Sequence, residues 1–201
     1  MRTIDTHHGF TLVEMLVSLA LFTIVATMSV GTLLILIGGN SRVVDEQASL
    51  TTLSFALDSM TREIRTGSEY YCGTVNQVTA AAVYNSATAV RNCTGGSDDG
   101  LSFREAGDSI TGGTGARRIA YYFQGNTLWR KVGSGAPEAI VTNDIKINDA
   151  RFVVTGATPL GTSTDAVQPS VTITVEAQAS SSDSVKVFTL QSTVTQRALD
   201  L

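Results

Sequence analysis

Apolar residues follow one another almost without a break from Phe10 to Ile37, then thin into a spaced pattern, then alternate with polar residues. The first stretch, "FTLVEMLVSLALFTIVATMSVGTLLILI", is about 28 residues long. At about 1.5 Å per helical residue it exceeds the roughly 30 Å hydrocarbon core of a bilayer. It predicts a membrane-length helix, too long for the apolar core of an ordinary secretory signal and followed by no small-x-small cleavage site. Its single charge is Glu14.

Past Gly38 and Gly39 the pattern becomes amphipathic. Val43, Leu50, Leu57 and Ile64 recur every seven residues, with Leu53 and Met60 between them. Arg42, Asp45, Asp58, Arg62 and Glu63 fall mostly outside that stripe, and Glu46 interrupts it near its start. The stripe is expected to pack on a sheet of the same molecule; a coiled-coil seam is the alternative, weakened by the acid at a core position. One helix from Phe10 to about Arg65 would be roughly 84 Å long if unbroken. Gly31 and the Gly38-Gly39 pair are natural bending points, and Gly67 ends the pattern.

From there the period changes to two. "RRIAYYF" and "TLWRKV" flank Gln124-Gly125-Asn126 as a hairpin. "DIKINDARFVVT" reads as a strand pair or as one long strand with a break. "SVTITVEAQA" and "VKVFTLQSTVTQ", joined by "SSSDS", read as a second hairpin, with weaker strands at Thr74–Tyr84 and Leu101–Glu105. A leading helix followed by hairpin-linked strands predicts an α+β architecture, an antiparallel sheet against one helix.

Composition narrows the function. The chain has 201 residues, a net charge of −4 and no basic tail, which argues against nucleic acid as the main partner. Serine, threonine, glycine and asparagine are frequent beyond Gly67, as suits an exported, turn-rich head. Cys72 and Cys93 match neither a zinc signature nor a redox CxxC; in an exported domain they are expected to pair, with unpaired buried thiols as the alternative. Closing a loop of about twenty residues would stabilise by roughly 3 kcal/mol on the chain-entropy model. The two histidines, His7 and His8, lie ahead of Gly9, so a chain cut there has none for Ser-His-Asp, Cys-His or histidine-metal chemistry. No catalytic residue, metal or cofactor is assigned, and the chain is not expected to be an enzyme.

Glu14 is then the residue to explain. An ionised carboxylate deep in lipid costs roughly 2.5–3.5 kcal/mol, less near the interface. No lysine or arginine lies between Phe10 and Ser41 to pair with it. A plain signal anchor leaves the acid without a purpose; the remaining cation would be an α-amino group created by a cut before Phe10.

"GFTLVEMLVSLALF" resembles the class III signal of type IV prepilins and type II secretion pseudopilins: glycine, then phenylalanine, glutamate fifth after the glycine, then an apolar helix. The resemblance implies a pilin fold with a leader at 1–9, a membrane and assembly helix at 10–38, its amphipathic continuation at 39–66 and a β-rich head at 67–201. It implies cleavage between Gly9 and Phe10 by a prepilin peptidase, N-methylation of Phe10, and pairing of Glu14 with the Phe10 ammonium of a neighbouring subunit. The family usually carries lysine or arginine beside the glycine; this chain has "HHG" and only Arg2 upstream. "FALDSMTREIRTG" and "IAYYFQGNTLWRKV" resemble more loosely the helix end and the glycine-centred hairpin of J-type pseudopilins and W-type minor pilins.

The implied partners are the peptidase, other minor and major pilins or pseudopilins, and an inner-membrane assembly platform. The implied location is a single pass through the inner membrane with the head outside, followed by a periplasmic or extracellular filament. Two alternatives remain open: a DNA-uptake pilus subunit, and a membrane-anchored exported binding domain. For the first, Arg117-Arg118 and Arg130-Lys131 could form a basic patch, although alternation in a strand sends adjacent cations to opposite faces and favours a solvated sheet. Asp98-Asp99 in "GGSDDGLSF" could offer calcium oxygens but reads better as a turn. Trp129, Tyr70, Tyr71, Tyr121 and Tyr122 are expected to pack on the sheet.

Overall fold

The computed structural model describes residues 9–86, 88–94, 96, 98–106, 118–158, 167–180 and 186–197. The chain forms two compact units, Met1–Val44 and Asp45–Leu201. Helix α1, Leu12–Thr66, contributes to both and is helical through Gly31, Gly38 and Gly39. The expected bending points therefore do not break it; a helical glycine costs only about 1 kcal/mol against alanine.

In the first unit the helix is long and apolar enough to cross a membrane, and its large apolar side chains are exposed. Its hydroxyls are satisfied locally. Ser18, Thr23, Thr27, Ser29 and Thr32 each donate to a carbonyl three or four residues back, at 2.8–3.0 Å. Side chains that close their own hydrogen bonds leave an apolar exterior, the condition for residence in lipid.

The second unit is a two-sheet α+β head. Strands β1 (Ser68–Gly73), β3 (Gly100–Arg104), β4 (Arg118–Gln124), β5 (Thr127–Val132) and β6 (Glu138–Ala139) form one antiparallel sheet in that order. Strands β2 (Cys93–Thr94), β7 (Ile145–Thr155), β8 (Ser170–Ala179) and β9 (Phe188–Thr195) form the other. The expected hairpins are β4–β5 and β8–β9, and "DIKINDARFVVT" is one strand with a register shift between Ile147 and Asp149. Thr74–Tyr84 is not a strand. It forms two short helices, α2 (Val75–Val78) and α3 (Ala81–Tyr84). The Thr74 N–H donates to Gln77 Oε1 at 3.1 Å, and Asp99 Oδ1 accepts the Val75 N–H at 2.8 Å, so side chains satisfy the amides that open α2.

The core collects Leu53, Ala56, Leu57, Met60 and Ile64 of α1 with Phe103, Tyr121, Leu128, Phe152, Ile173 and other residues of both sheets. Burying a leucine fully contributes about 1.5–3 kcal/mol. Val43 and Leu50, the first members of the sequence stripe, stay exposed. A smaller cluster, Val78, Tyr84, Ala120 and Tyr122, joins α2 and α3 to the five-stranded sheet. The position just past the helix, Gly67, has no room for a side chain: a Cβ there would collide with the Phe103 ring. The Tyr70 hydroxyl, 2.7 Å from Ile64 O and 2.9 Å from Gly67 O, satisfies carbonyls at that end.

Two links tie the sheets. Cys72 on β1 and Cys93 on β2 form a disulfide, with Cα atoms 5.8 Å apart. At the β4–β5 tip, Gly125 and Asn126 both adopt positive φ (61° and 63°), the two-residue turn whose twist matches a hairpin. That turn aims Asn126 at β7, where its side-chain amide donates to Ile147 O at 3.1 Å and its carbonyl accepts the Ile147 N–H at 3.0 Å.

Candidate functional site

The residues singled out at the amino terminus converge within about one helical turn. Gly9, Phe10 and Thr11 precede α1 in non-helical backbone. A Cβ added at Gly9 would meet nothing, so this chain's own packing does not require glycine there. Thr11 Oγ1 accepts the Glu14 N–H at 3.2 Å, capping the helix. Sequence reasoning passed over Thr11, although "TLVE" has the Thr-x-x-Glu spacing of a capping box. Phe10 is 79% exposed. The Glu14 carboxylate is exposed and has no hydrogen-bond or ion-pair partner among the described residues.

In the head, the two loosely matched motifs meet at one point. Glu63 of α1 receives Arg130 in a two-pronged bond, Nε to Oε2 at 3.1 Å and Nη2 to Oε1 at 2.9 Å. The Tyr121 hydroxyl donates to Glu63 Oε2 at 2.7 Å. Burial, reinforced by that acid, holds the Tyr121 hydroxyl above its ordinary pKa. Glu63 reads in the sequence as a residue outside the stripe; its neighbour Ile64 is in the core, and that adjacency is the signal that it borders the interface.

Arg118 corrects an expectation. It is fully buried rather than on a solvated sheet face. Nε donates to Ser102 Oγ (3.0 Å), Nη1 to Ser86 O (3.2 Å), and Nη2 to Glu69 O (2.6 Å), Ala89 O (3.2 Å) and Ser102 O (3.3 Å). Burial pushes its pKa down to about 10. Glu69 adopts φ 54° at the bulge of β1, and the carbonyl held there is the closest acceptor of this cation. Lys131 lies 5.0 Å over the Tyr84 ring. Arg117 lies outside the described residues. Three of the four cations considered for a basic patch are thus engaged within the head.

Asp98 and Asp99 are engaged too. Asp98 Oδ1 is 3.9 Å from Arg91 Nη2, and Asp99 caps α2. The two cysteine sulfurs and the Asp98 carboxylate lie within 4.8 Å of one another, but sulfurs joined in a disulfide carry no thiolate for a metal. Tyr70, Tyr121 and Tyr122 are buried, and Tyr71 and Trp129 half-buried against the sheet.

Residues 5–30 match the prokaryotic N-terminal methylation motif. No curated protein and no solved structure matches the chain. The match supports a type IV pilin-like family, with processing by a prepilin peptidase and a pilin assembly context. The apolar helix fits a membrane anchor.

Proposed function

We propose that the chain is a minor pilin or pseudopilin, a structural subunit that helps prime or cap a type IV pilus or type II secretion pseudopilus. In this reading the peptidase cuts between Gly9 and Phe10 and methylates the new Phe10 amine. The helix then holds the subunit in the inner membrane with a single pass and the head outside. The boundaries at 9/10, 38/39 and 66/67 separate leader, assembly helix, amphipathic continuation and head.

One observation carries the reading: an acid without a partner among the described residues, one turn into a helix with no other charge in its apolar run. The cut supplies the missing cation. Within one subunit the amine and the acid belong to the same exposed end; between subunits, the Phe10 ammonium of one can meet Glu14 of the next. Opposite charges attract strongly where the dielectric is low, and pairing removes the desolvation cost that each bears alone. That preference sets axial register as the apolar helices bundle. The open space at Gly9 fits the same account, because the demand for glycine then comes from the peptidase.

The test is the intact mass of the chain purified from membranes of cells holding the peptidase. It should correspond to a start at N-methylated Phe10. In the same cells Glu14→Ala should be cut and inserted normally yet enter filaments at least tenfold less. A chain retaining Met1, or full incorporation of the Glu14→Ala form, would overturn the reading.

A further inference from the structure

Among the described residues, four strands stand at the edges of the two sheets of the head, and three of them are short or already bonded. β2 and β6 are two residues long. The outer edge of β1 is bulged between Ser68 and Tyr71 and paired to Arg91, whose N–H donates to Tyr70 O at 3.0 Å and whose carbonyl accepts the Cys72 N–H at 3.2 Å. β9 is different. It runs eight residues in unbroken antiparallel register with β8, without proline, charge or bulge. Among the described residues, nothing hydrogen-bonds to its backbone on the side away from β8. Short length, bulges, charges and cover are the devices by which sheets protect an edge, and among the described residues β9 has none of them.

Charge around this edge is one-sided. At its start, Lys186 is answered by Glu46 at 3.1 Å. At its end, the Arg197 N–H donates to Arg65 O at 2.8 Å, bringing two exposed arginines together. Neither guanidinium has an ion-pair partner among the described residues. A second copy fits poorly here. Antiparallel β9–β9 pairing centred on the strand sets Lys186 opposite Arg197, and parallel pairing sets Arg197 beside Arg197. The parallel mode opposes like charges, and the antiparallel mode faces Arg197 with a lysine already held by Glu46, so neither brings the arginines a carboxylate of their own.

We propose that β9 is an acceptor edge for an extended segment of a different protein. That segment is a neutral strand of about six to eight residues, with a carboxylate at the end beside Arg65 and Arg197. Alternation on β9 sets its side chains. One face of β9 carries exposed Thr189, Gln191, Thr193 and Thr195; the other carries half-buried Phe188 and Leu190. An added strand continues both rows, so it alternates hydroxyl and β-branched apolar residues. The 2.9 Å contact between Thr172 and Thr193 hydroxyls is the same pairing already made across β8 and β9. The proposal uses the head alone and is independent of leader processing and of Glu14.

The test uses the full chain in detergent micelles and fluorescein-labelled peptides of alternating threonine and valine. Two aspartates are placed at the amino end in one peptide and at the carboxyl end in the other. One of the two should bind saturably by fluorescence anisotropy. N-methylation of its alternate backbone amides should weaken it at least tenfold, because the side chains are kept while the strand donors are removed. Arg65→Glu with Arg197→Glu should weaken it at least fivefold, with the disulfide and the circular dichroism spectrum unchanged. Should that double variant fail to fold, the N-methyl comparison on the unaltered protein decides. Equal binding of the N-methylated peptide, no binding of either peptide, or self-association of the chain that the peptides compete away would overturn the proposal.

Discussion

Leu19 and Leu53 are both leucines of α1, yet Leu19 is 61% exposed and Leu53 is fully buried. Within the first unit, apolar residues cover the helix all round and find nothing among the described residues to pack on. In the head, the apolar residues form a stripe, and two sheets supply its partner. The same asymmetry holds for charge. Glu14 has no partner among the described residues, whereas Glu63 has Arg130 and Tyr121. Among the described residues, the first unit therefore leaves its apolar surface and its acid unmatched, whereas the head buries most of its stripe and pairs the acid at Glu63. Function of the assembly kind belongs where the chain leaves its own demands unmet.

The sharpest way to break this contrast is Arg118→Ala. Five acceptors around the guanidinium would lose their donor in a buried site, and the cost should be about 4 kcal/mol or more. Thermal unfolding of the head in detergent should shift strongly downward, while cleavage at Gly9 is unchanged. A head that melts normally would mean that the buried cation is dispensable. A smaller, paired measurement compares the two leucines directly. Leu53→Ala should cost about 3 kcal/mol, as a cavity in a packed core does. Leu19→Ala should move the melting of the head by less than about 0.5 kcal/mol and act only on membrane partition or filament yield. Equal effects on head stability would erase the distinction between the units.

How much of this could be read in the residues follows the same division. The amino-terminal signal is contiguous, so four features in register made it legible. The hairpins were legible because their strands adjoin in sequence and Gly125-Asn126 marks one turn. What was missed depends on distant pairing. Nothing local says that β2 joins β7 across about sixty residues, so one sheet was expected where there are two. Thr74–Tyr84 looks strand-like by composition, but Asp99, distant in sequence and just ahead of β3, caps the helix that forms there. Arg118 reads as a surface cation because the carbonyls that gather round it come from residues 69, 86, 89 and 102. A residue's own neighbours do not reveal acceptors brought in by topology.

The subtlest test addresses Tyr121, where the loosely matched motifs touch. Its pKa is raised above the ordinary 10.0, first by burial and then by the hydrogen bond to Glu63; that of Tyr84 is raised as well, chiefly by burial. Below about pH 10 both tyrosines are neutral in the folded and unfolded states, and their contribution to stability is fully present. Above that, the unfolded chain releases the protons while the folded head keeps them. The folded state then binds more protons, so stability must fall as pH rises. Tyr121→Phe should cost about 1–2 kcal/mol at neutral pH through the lost bond to a carboxylate. It should also flatten the alkaline decline, leaving the part that belongs to Tyr84, whose hydroxyl donates to Lys131 O at 2.8 Å, and to Tyr122, which burial also raises. Denaturant midpoints taken from pH 7 to 11 would show both effects, and parallel curves for the two proteins would mean that the hydroxyl is not held by Glu63.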